Sequence, residues 1–227
     1  MDDARTAHVT AVAALAEPTR RRLYDHVVRQ ADPVSRDEAA AATDVPRATA
    51  AFHLDRLVAD GLLDVVFERR TGRTGPGAGR PAKLYRRAEC SVTVSLPERH
   101  YDLAGRLLAE ALLDAESSGT SPRAALERRA HERGRELGEG MAGSDGVLRA
   151  LEEQGFEPRV EPDGVVTLAN CPFHTLAREH TELVCGMNLQ LLDGVLQGVG
   201  TSGFSARLQP AAGRCCVQLE PNGSSTR

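Results

Sequence analysis

The chain holds five cysteines among 227 residues, and four of them, Cys171, Cys185, Cys215 and Cys216, fall in the stretch 171–216. Cys171 and His174 have the C-x2-H spacing of a chelating turn, Cys185 follows within the same segment "CPFHTLAREHTELVC", and Cys215 and Cys216 are adjacent in "GRCCVQL". Thiolates and an imidazole gathered this way suit a tetrahedral Zn2+ site or an iron–sulfur cluster, and spacing does not separate the two. Adjacent residues on a strand point to opposite faces, so one of Cys215 and Cys216 is expected to face a shared site. A cysteine nucleophile with His174 as base is a further chemistry that these residue types permit. Packing as small apolar side chains is the role that requires no ligand at all.

The rest of the sequence limits these choices. No nucleotide-binding loop or second catalytic signature accompanies Cys171 and His174, so the expectation is a non-enzymatic protein. Apolar residues make up 41% and charged residues 26%, as in a folded soluble protein, while aromatics fall to 4% with no Trp. Leu, Val and Ala must therefore form the cores. No run approaches the roughly 18 apolar residues that span a bilayer, and the start "MDDARTAHVT" has no signal-peptide pattern, so no membrane partner and a cytoplasmic location are expected. In that compartment thiols stay reduced or bind metal.

The net charge of −4 conceals an asymmetry. Residues 1–88 carry 15 basic and 12 acidic side chains, and residues 89–227 carry 13 and 20, which points to the first part as the one that meets a polyanion. Its local signals agree. "EPTRRRLYDHVV" enters a helix through Pro18 and places Leu23 and Val27 on one face. Ser35 and Glu38 form a capping box before an Ala-rich helix, "TDVP" ends it, and a second helix runs from Pro46 to a stop at Gly61. In that second helix Ala50, Leu54 and Leu57 face inward, leaving Arg47, Thr49, Phe52 and Arg56 outward; His53 is expected to pack.

Two short helices joined by a tight turn are a helix-turn-helix, whose second helix reads base edges in the major groove of double-stranded DNA. "LLDVVFERR", "TGRTGPGAGRPA" and "KLYRR" then read as strand, glycine-rich loop and return strand, a wing in which Arg69, Arg70, Arg73, Arg80 and Lys83 neutralise phosphates. From Arg69 to Arg87 there are seven basic residues and no acidic one.

Beyond the wing, "SVTVS" alternates like a strand, and Leu103, Leu107, Leu108, Ala111 and Leu112 form a stripe on a long helix, either intradomain core or the seam of a homodimer. Helices over "SPRAALERRAHERGRELGEGM" and "SDGVLRALEEQGF" follow, then strands "EPRV" and "GVVTL" about the turn "EPDG", a helix over about 182–199 that carries Cys185, and a returning pair "FSARLQP" and "CCVQLE". The expected architecture is α+β: a winged helix-turn-helix over 1–90, a helical linker or dimerisation region over 91–142, a small α+β sensor domain over 143–220 and a frayed tail over 221–227.

"EPTRRRLYDHV…SRDEAAAATDVPRATAAFHLDRLVADGLLDV" resembles the ArsR-type winged-helix repressors, and "GRTGPGAGRPAKLYRR" is similar to the wing of the SufR-type regulators of iron–sulfur-cluster assembly genes. "CPFHTLAREHTELVC" and "GRCC" look like the three-cysteine arrangement in the C-terminal domain of that group. The resemblance implies a DNA-binding repressor controlled by an iron–sulfur cluster, of the [4Fe–4S] type, held by Cys171, Cys185 and Cys215. Cluster loss would release the operator. The fourth ligand stays open, with His174 first by proximity and Cys216 or an external group behind it, and Zn2+ remains the alternative metal.

Overall fold

A computed structural model describes residues 2–69, 81–141, 143–200 and 203–222. The chain forms two compact units, Met1–Val94 and Ser95–Arg227. The helices expected as a linker over 91–142 fold almost entirely within the second unit.

The first unit opens with α1 (Asp2–Ala14), whose Ala11 and Ala14 are buried. Glu17 then caps α2 (Pro18–Val28), its carboxylate accepting from the Thr19 and Arg20 amides at 3.0 and 2.6 Å. This satisfies amide donors that have no partner inside the helix. A two-residue strand β1 (Val34–Ser35) leads into α3 (Arg36–Thr43), and the capping box is present: Ser35 Oγ accepts from the Glu38 amide at 3.2 Å, and Glu38 accepts from the Ser35 amide at 2.8 Å. Asp44 terminates α3 in a left-handed conformation (φ 53°) that lets the Val45 amide reach back to Ala40 O at 3.0 Å. Pro46 follows, so α4 (Arg47–Ala59) starts in a new direction. Ala50, Leu54 and Leu57 are buried on its inner face against Leu23, Val27 and Ala39. Gly61 (φ 74°) ends this segment and turns the chain into β2 (Leu63–Glu68), which pairs antiparallel with β3 (Ala82–Arg87), and the sheet order is β1-β3-β2. This is a helix-turn-helix backed by a wing. The wing tip, with Arg70, Arg73 and Arg80, lies outside the described residues.

The run at 91–95 forms no strand. Val92 packs against the core of the first unit and Thr93 O lies 3.1 Å from His8 Nδ1, so the segment is tied down by a side chain and an apolar contact rather than by a ladder.

In the second unit α5 (Tyr101–Ser118) packs on α6 (Pro122–Gly138) and α6 on α9 (Thr181–Val199), while α9 and α7 (Gly143–Glu153) meet an antiparallel sheet. Its strands are β4 (Pro158–Val160), β5 (Val166–Leu168), β6 (Phe204–Leu208) and β7 (Val217–Pro221), in the order β4-β5-β7-β6, and the short α8 (His174–Glu179) lies between β5 and α9. Ser121 caps α6, with Pro122 in its first turn. The crossing of α6 and α9 is backbone against backbone. A Cβ built on Gly134 would fall 1.9 Å from Leu191 O, and one on Gly194 would fall 2.1 Å from His131 O. Gly138 and Gly198 are as constrained, so four glycines let two helices meet at a distance that no other residue allows. Of the α5 stripe, Leu107 and Ala111 are buried in this core, Leu103 and Leu108 pack against it half-buried, and Leu112 is 55% exposed beside Leu113 at 68%.

Candidate DNA interface and cysteine site

On α4 the outer face carries Arg47, Phe52 and Arg56, with Thr49 half-buried beside them. Phe52 is 65% exposed and meets the His53 ring edge-on at 5.3 Å. Both arginines are held by carboxylates of their own unit: Arg47 by Asp37 at the start of α3, and Arg56 by Asp60, Nε to Oδ2 3.0 Å, one turn on. His53 packs inward, with Arg20 Nε donating to its Nδ1 at 3.5 Å and Glu17 Oε2 at 3.6 Å.

Lys83 on β3 reaches across to α4, where Nζ donates to Asp55 Oδ1 at 2.5 Å, and the Tyr85 hydroxyl donates to the same oxygen at 2.7 Å. Burial works to raise the Asp55 carboxyl, but the hydrogen bonds from Lys83 and Tyr85 and the charges of Lys83 and Arg36 prevail and hold it below the usual range. Burial, and then the Asp55 carboxylate, push the Tyr85 hydroxyl up, so it stays a donor. Lys83, expected among the phosphate contacts, ties α4 to the root of the wing through Asp55. Arg69 is exposed at the end of β2.

A family model described as a helix-turn-helix domain matches residues 15–66, the segment from the end of α1 into β2. Residues 15–66 are a helix-turn-helix domain. The match supports a DNA-binding transcriptional regulator with a winged-helix reading head. No curated protein and no solved structure matches the chain. Among the described residues no helix is long and apolar enough to cross a membrane.

In the second unit the loop after β5 presents Cys171. Asn170 is buried, its Nδ2 donating to Gly155 O at 2.6 Å and Glu98 O at 3.0 Å. Arg99 Nη1 donates to Asn170 Oδ1 at 2.5 Å and to Cys171 O at 3.3 Å, and the His100 amide donates to Pro172 O at 3.2 Å. The stretch 98–100 thus clamps the loop that carries the first cysteine. From the other side the Cys215 amide donates to Leu168 O at 2.9 Å, which seats the "RCC" turn against β5.

Cys185, in the first turns of α9, and Cys215 are buried; Cys171 and Cys216 are half-buried, and Cys90 is exposed in the first unit. Cys171, Cys215 and Cys216 line one cavity of the second unit. The hydrogen bond from Cys215 brings the Cys171 thiol down to about 7 against the effect of burial, helped by the Phe173 amide and the Arg99 charge. Its partner Cys215 is pushed up, as the donor of that bond and by burial. Burial, then the hydrogen bond to Cys216, push the Cys185 thiol up to about 12.

Both members of the doubled cysteine face the site, contrary to the alternation expected of strand residues. They precede β7 in an irregular turn, where the period of two does not apply. A cavity of about 520 Å3 is walled by Cys171, Cys215, Cys216 and His174, with Arg99, Arg178 and Arg214 around it. His174 is the exposed first residue of α8.

Sequence reasoning missed Asn188, one turn after Cys185 on α9: it is 2% exposed, its Nδ2 donates to Cys215 Sγ at 3.3 Å, and its Oδ1 is a buried acceptor with no partner. The spacing of three between Cys185 and Asn188 is the signal that would have found it. Asn170, the immediate neighbour of Cys171, was equally available. Among the described residues no group of three or more His, Cys, Asp or Glu side chains is arranged to hold a single metal ion.

Proposed function

We propose that the chain is a homodimeric transcriptional repressor whose second unit binds an iron–sulfur cluster, of the [4Fe–4S] type, through Cys171, Cys185 and Cys215, and which thereby governs cluster-assembly or redox- and iron-responsive genes. The observation that carries this reading is the cavity that Cys171, Cys215 and Cys216 line together in a unit joined to a helix-turn-helix domain. What supports a cluster is the chemistry of the donors, soft sulfur ligands with Arg99, Arg178 and Arg214 about the same cavity to offset the charge of thiolates and cluster. When bound, the cluster supplies an oxygen- and iron-sensitive group whose presence biases the protein between states. The residues of the chain do the rest. Arg99 and Asn170 fix the Cys171 loop, and Asn188 orients Cys215.

On DNA, the outer face of α4 reads bases through Arg47, Thr49, Phe52 and Arg56, while Arg69, Arg70, Arg73, Arg80 and Lys83 hold phosphates. Occupancy controls the operator only through a difference in affinity between the holo and apo arrangements. The resemblance to the SufR-type regulators supports holo protein as the repressing form. A two-fold operator calls for two copies, and the exposed side of α5, with Gly105, Ala109, Leu112 and Leu113 at helical spacing, is the seam we assign to the second copy. The test is anaerobic purification with iron and sulfide analysis, followed by operator binding of holo and apo protein. Equal affinity of the two forms would overturn the regulatory reading, and zinc in place of iron would replace the cofactor.

A further inference from the structure

We infer that Phe52 reads the 5-methyl group of a thymine in the major groove, so that α4 selects thymine at one position of each half-site. The inference rests on the DNA-binding reading above and takes it to a single base contact. At 3.6 residues per turn, Phe52 stands on the side of α4 opposite the buried set Ala50, Leu54 and Leu57. Among the described residues it is the large apolar side chain of that helix that stays exposed, at 65%, and it takes no part in the apolar core of the first unit. Helical side chains lean back over the preceding turn, and there the exposed neighbour is Ala48, too small to cover the ring. The ring is nevertheless held. His53 meets it edge-on, with centroids 5.3 Å apart and planes at 69°. His53 is itself fixed by Arg20 Nε, which donates to Nδ1 at 3.5 Å, and by Glu17, the residue that caps α2. A ring already fixed loses little freedom when it meets a partner.

The chemistry of the ring decides what it can read. Arg47 and Arg56 share the exposed surface of α4 with it, and their guanidinium groups suit guanine edges or phosphates, while a threonine hydroxyl such as that of Thr49 discriminates weakly. Phe52 has no hydrogen-bonding atom. In the major groove the base edges present one apolar group, the thymine methyl, and an apolar side chain set against it separates thymine from the other three bases. A second phenylalanine, Phe67, is 63% exposed on β2, directly opposite Lys83. It stands on the strand that enters the wing, where contacts to phosphate position the protein without reading sequence. Phe67 is therefore the control for apolar exposure as such.

The experiment starts from the full chain, purified without oxygen, which selects its preferred sites from a pool of random double-stranded DNA. Each thymine of a selected site is then replaced singly by uracil, which lacks only the 5-methyl group. Affinities are measured for wild type, Phe52→Ala and Phe67→Ala. Wild type should lose about 4-fold at one thymine of each half-site, the factor that burial of one methyl group supplies. Phe52→Ala should bind the thymine and uracil duplexes equally, and Phe67→Ala should keep the wild-type difference. The uracil scan of wild type needs no variant: if no thymine responds to loss of its methyl, the contact is overturned and the DNA-binding reading stands. A difference that persists undiminished in Phe52→Ala, as expected if Phe52 meets another protein instead, would overturn it too. So would a difference kept in Phe52→Ala and lost in Phe67→Ala, which moves the contact to the wing. Wild type that selects no sequence from the pool would overturn both the contact and the DNA-reading role of α4.

Discussion

Gly194→Ala probes the crossing of α6 and α9 that holds the cysteine site in place. The added Cβ would sit 2.1 Å from His131 O and 2.9 Å from the Arg135 amide nitrogen, both backbone atoms that cannot rotate away. Restoring ordinary contact of about 3.4 Å requires the helices to part by about 1 Å, and a gap of that size forfeits about a quarter to a half of each dispersion contact along the seam. Leu126, Ala130, Leu191 and Val195 are buried in this core. Overpacking of this kind costs about 1–3 kcal/mol, and the rigid backbone clash puts it at the upper end. The gain in helix propensity returns only about 0.5–1 kcal/mol. The net expectation is a loss of about 2 kcal/mol, which lowers the melting temperature by about 6–10 °C for a unit of this size. Gly186→Ala on the same helix is the control, since its Cβ would meet only Glu127 Oε1, at 3.6 Å, and there the propensity gain should dominate. Thermal melts of apo protein followed by far-ultraviolet circular dichroism compare the two. A Gly194→Ala variant that melts at or above wild type would refute the backbone-contact reasoning.

Arg47→Ala and Arg56→Ala should each reduce preference for the operator over random DNA by about 10-fold, corresponding to about 1–3 kcal/mol per lost base contact. Arg73→Ala or Arg80→Ala should weaken both equally and flatten the salt dependence by about one unit; binding titrations at several salt concentrations separate the two patterns. Asp55 gives a pH dependence: its folded carboxyl titrates below the unfolded value, so its stabilising effect is complete above about pH 4 and disappears as pH falls through the lower folded value. Asp55→Asn should therefore melt lower than wild type at neutral pH and lose less stability between neutrality and pH 3, a difference that parallel denaturation curves would show or exclude. Leu112→Asp with Leu113→Asp should leave the fold intact, because both side chains are exposed, and shift a homodimer to monomer in sedimentation analysis; an unchanged dimer would move the seam elsewhere.

The parts legible in the sequence were those specified by neighbours along the chain. Pro18, the Ser35–Glu38 box, Ser121 and Gly61 each set a helix end through contacts within four residues, so the helix-turn-helix could be read directly. The inward set Ala50, Leu54 and Leu57 followed from helical spacing alone. What stayed hidden depended on partners distant in sequence. Strand β1 is two residues long and exists because Val34 and Ser35 meet Tyr85 and Leu84. The run at 91–95 has a strand's alternation but finds no partner strand. Helix α1 has Ala-rich propensity without a clear apolar period, and α8 has only six residues, so neither announced itself. The doubled cysteine escapes the strand alternation because it lies in a turn before β7. Arg99 and Asn188 join the site only through folding, from 72 residues before Cys171 and 27 before Cys215 respectively.

The most direct test of the account is the pairing of cofactor content with operator affinity in protein kept free of oxygen. Stoichiometric iron and sulfide, visible absorption that bleaches on exposure to air, and tight operator binding that weakens at least about 10-fold on bleaching, a change of about 1.4 kcal/mol, are the results expected. Colourless protein without iron or sulfide, or operator binding that is the same before and after bleaching, would contradict it.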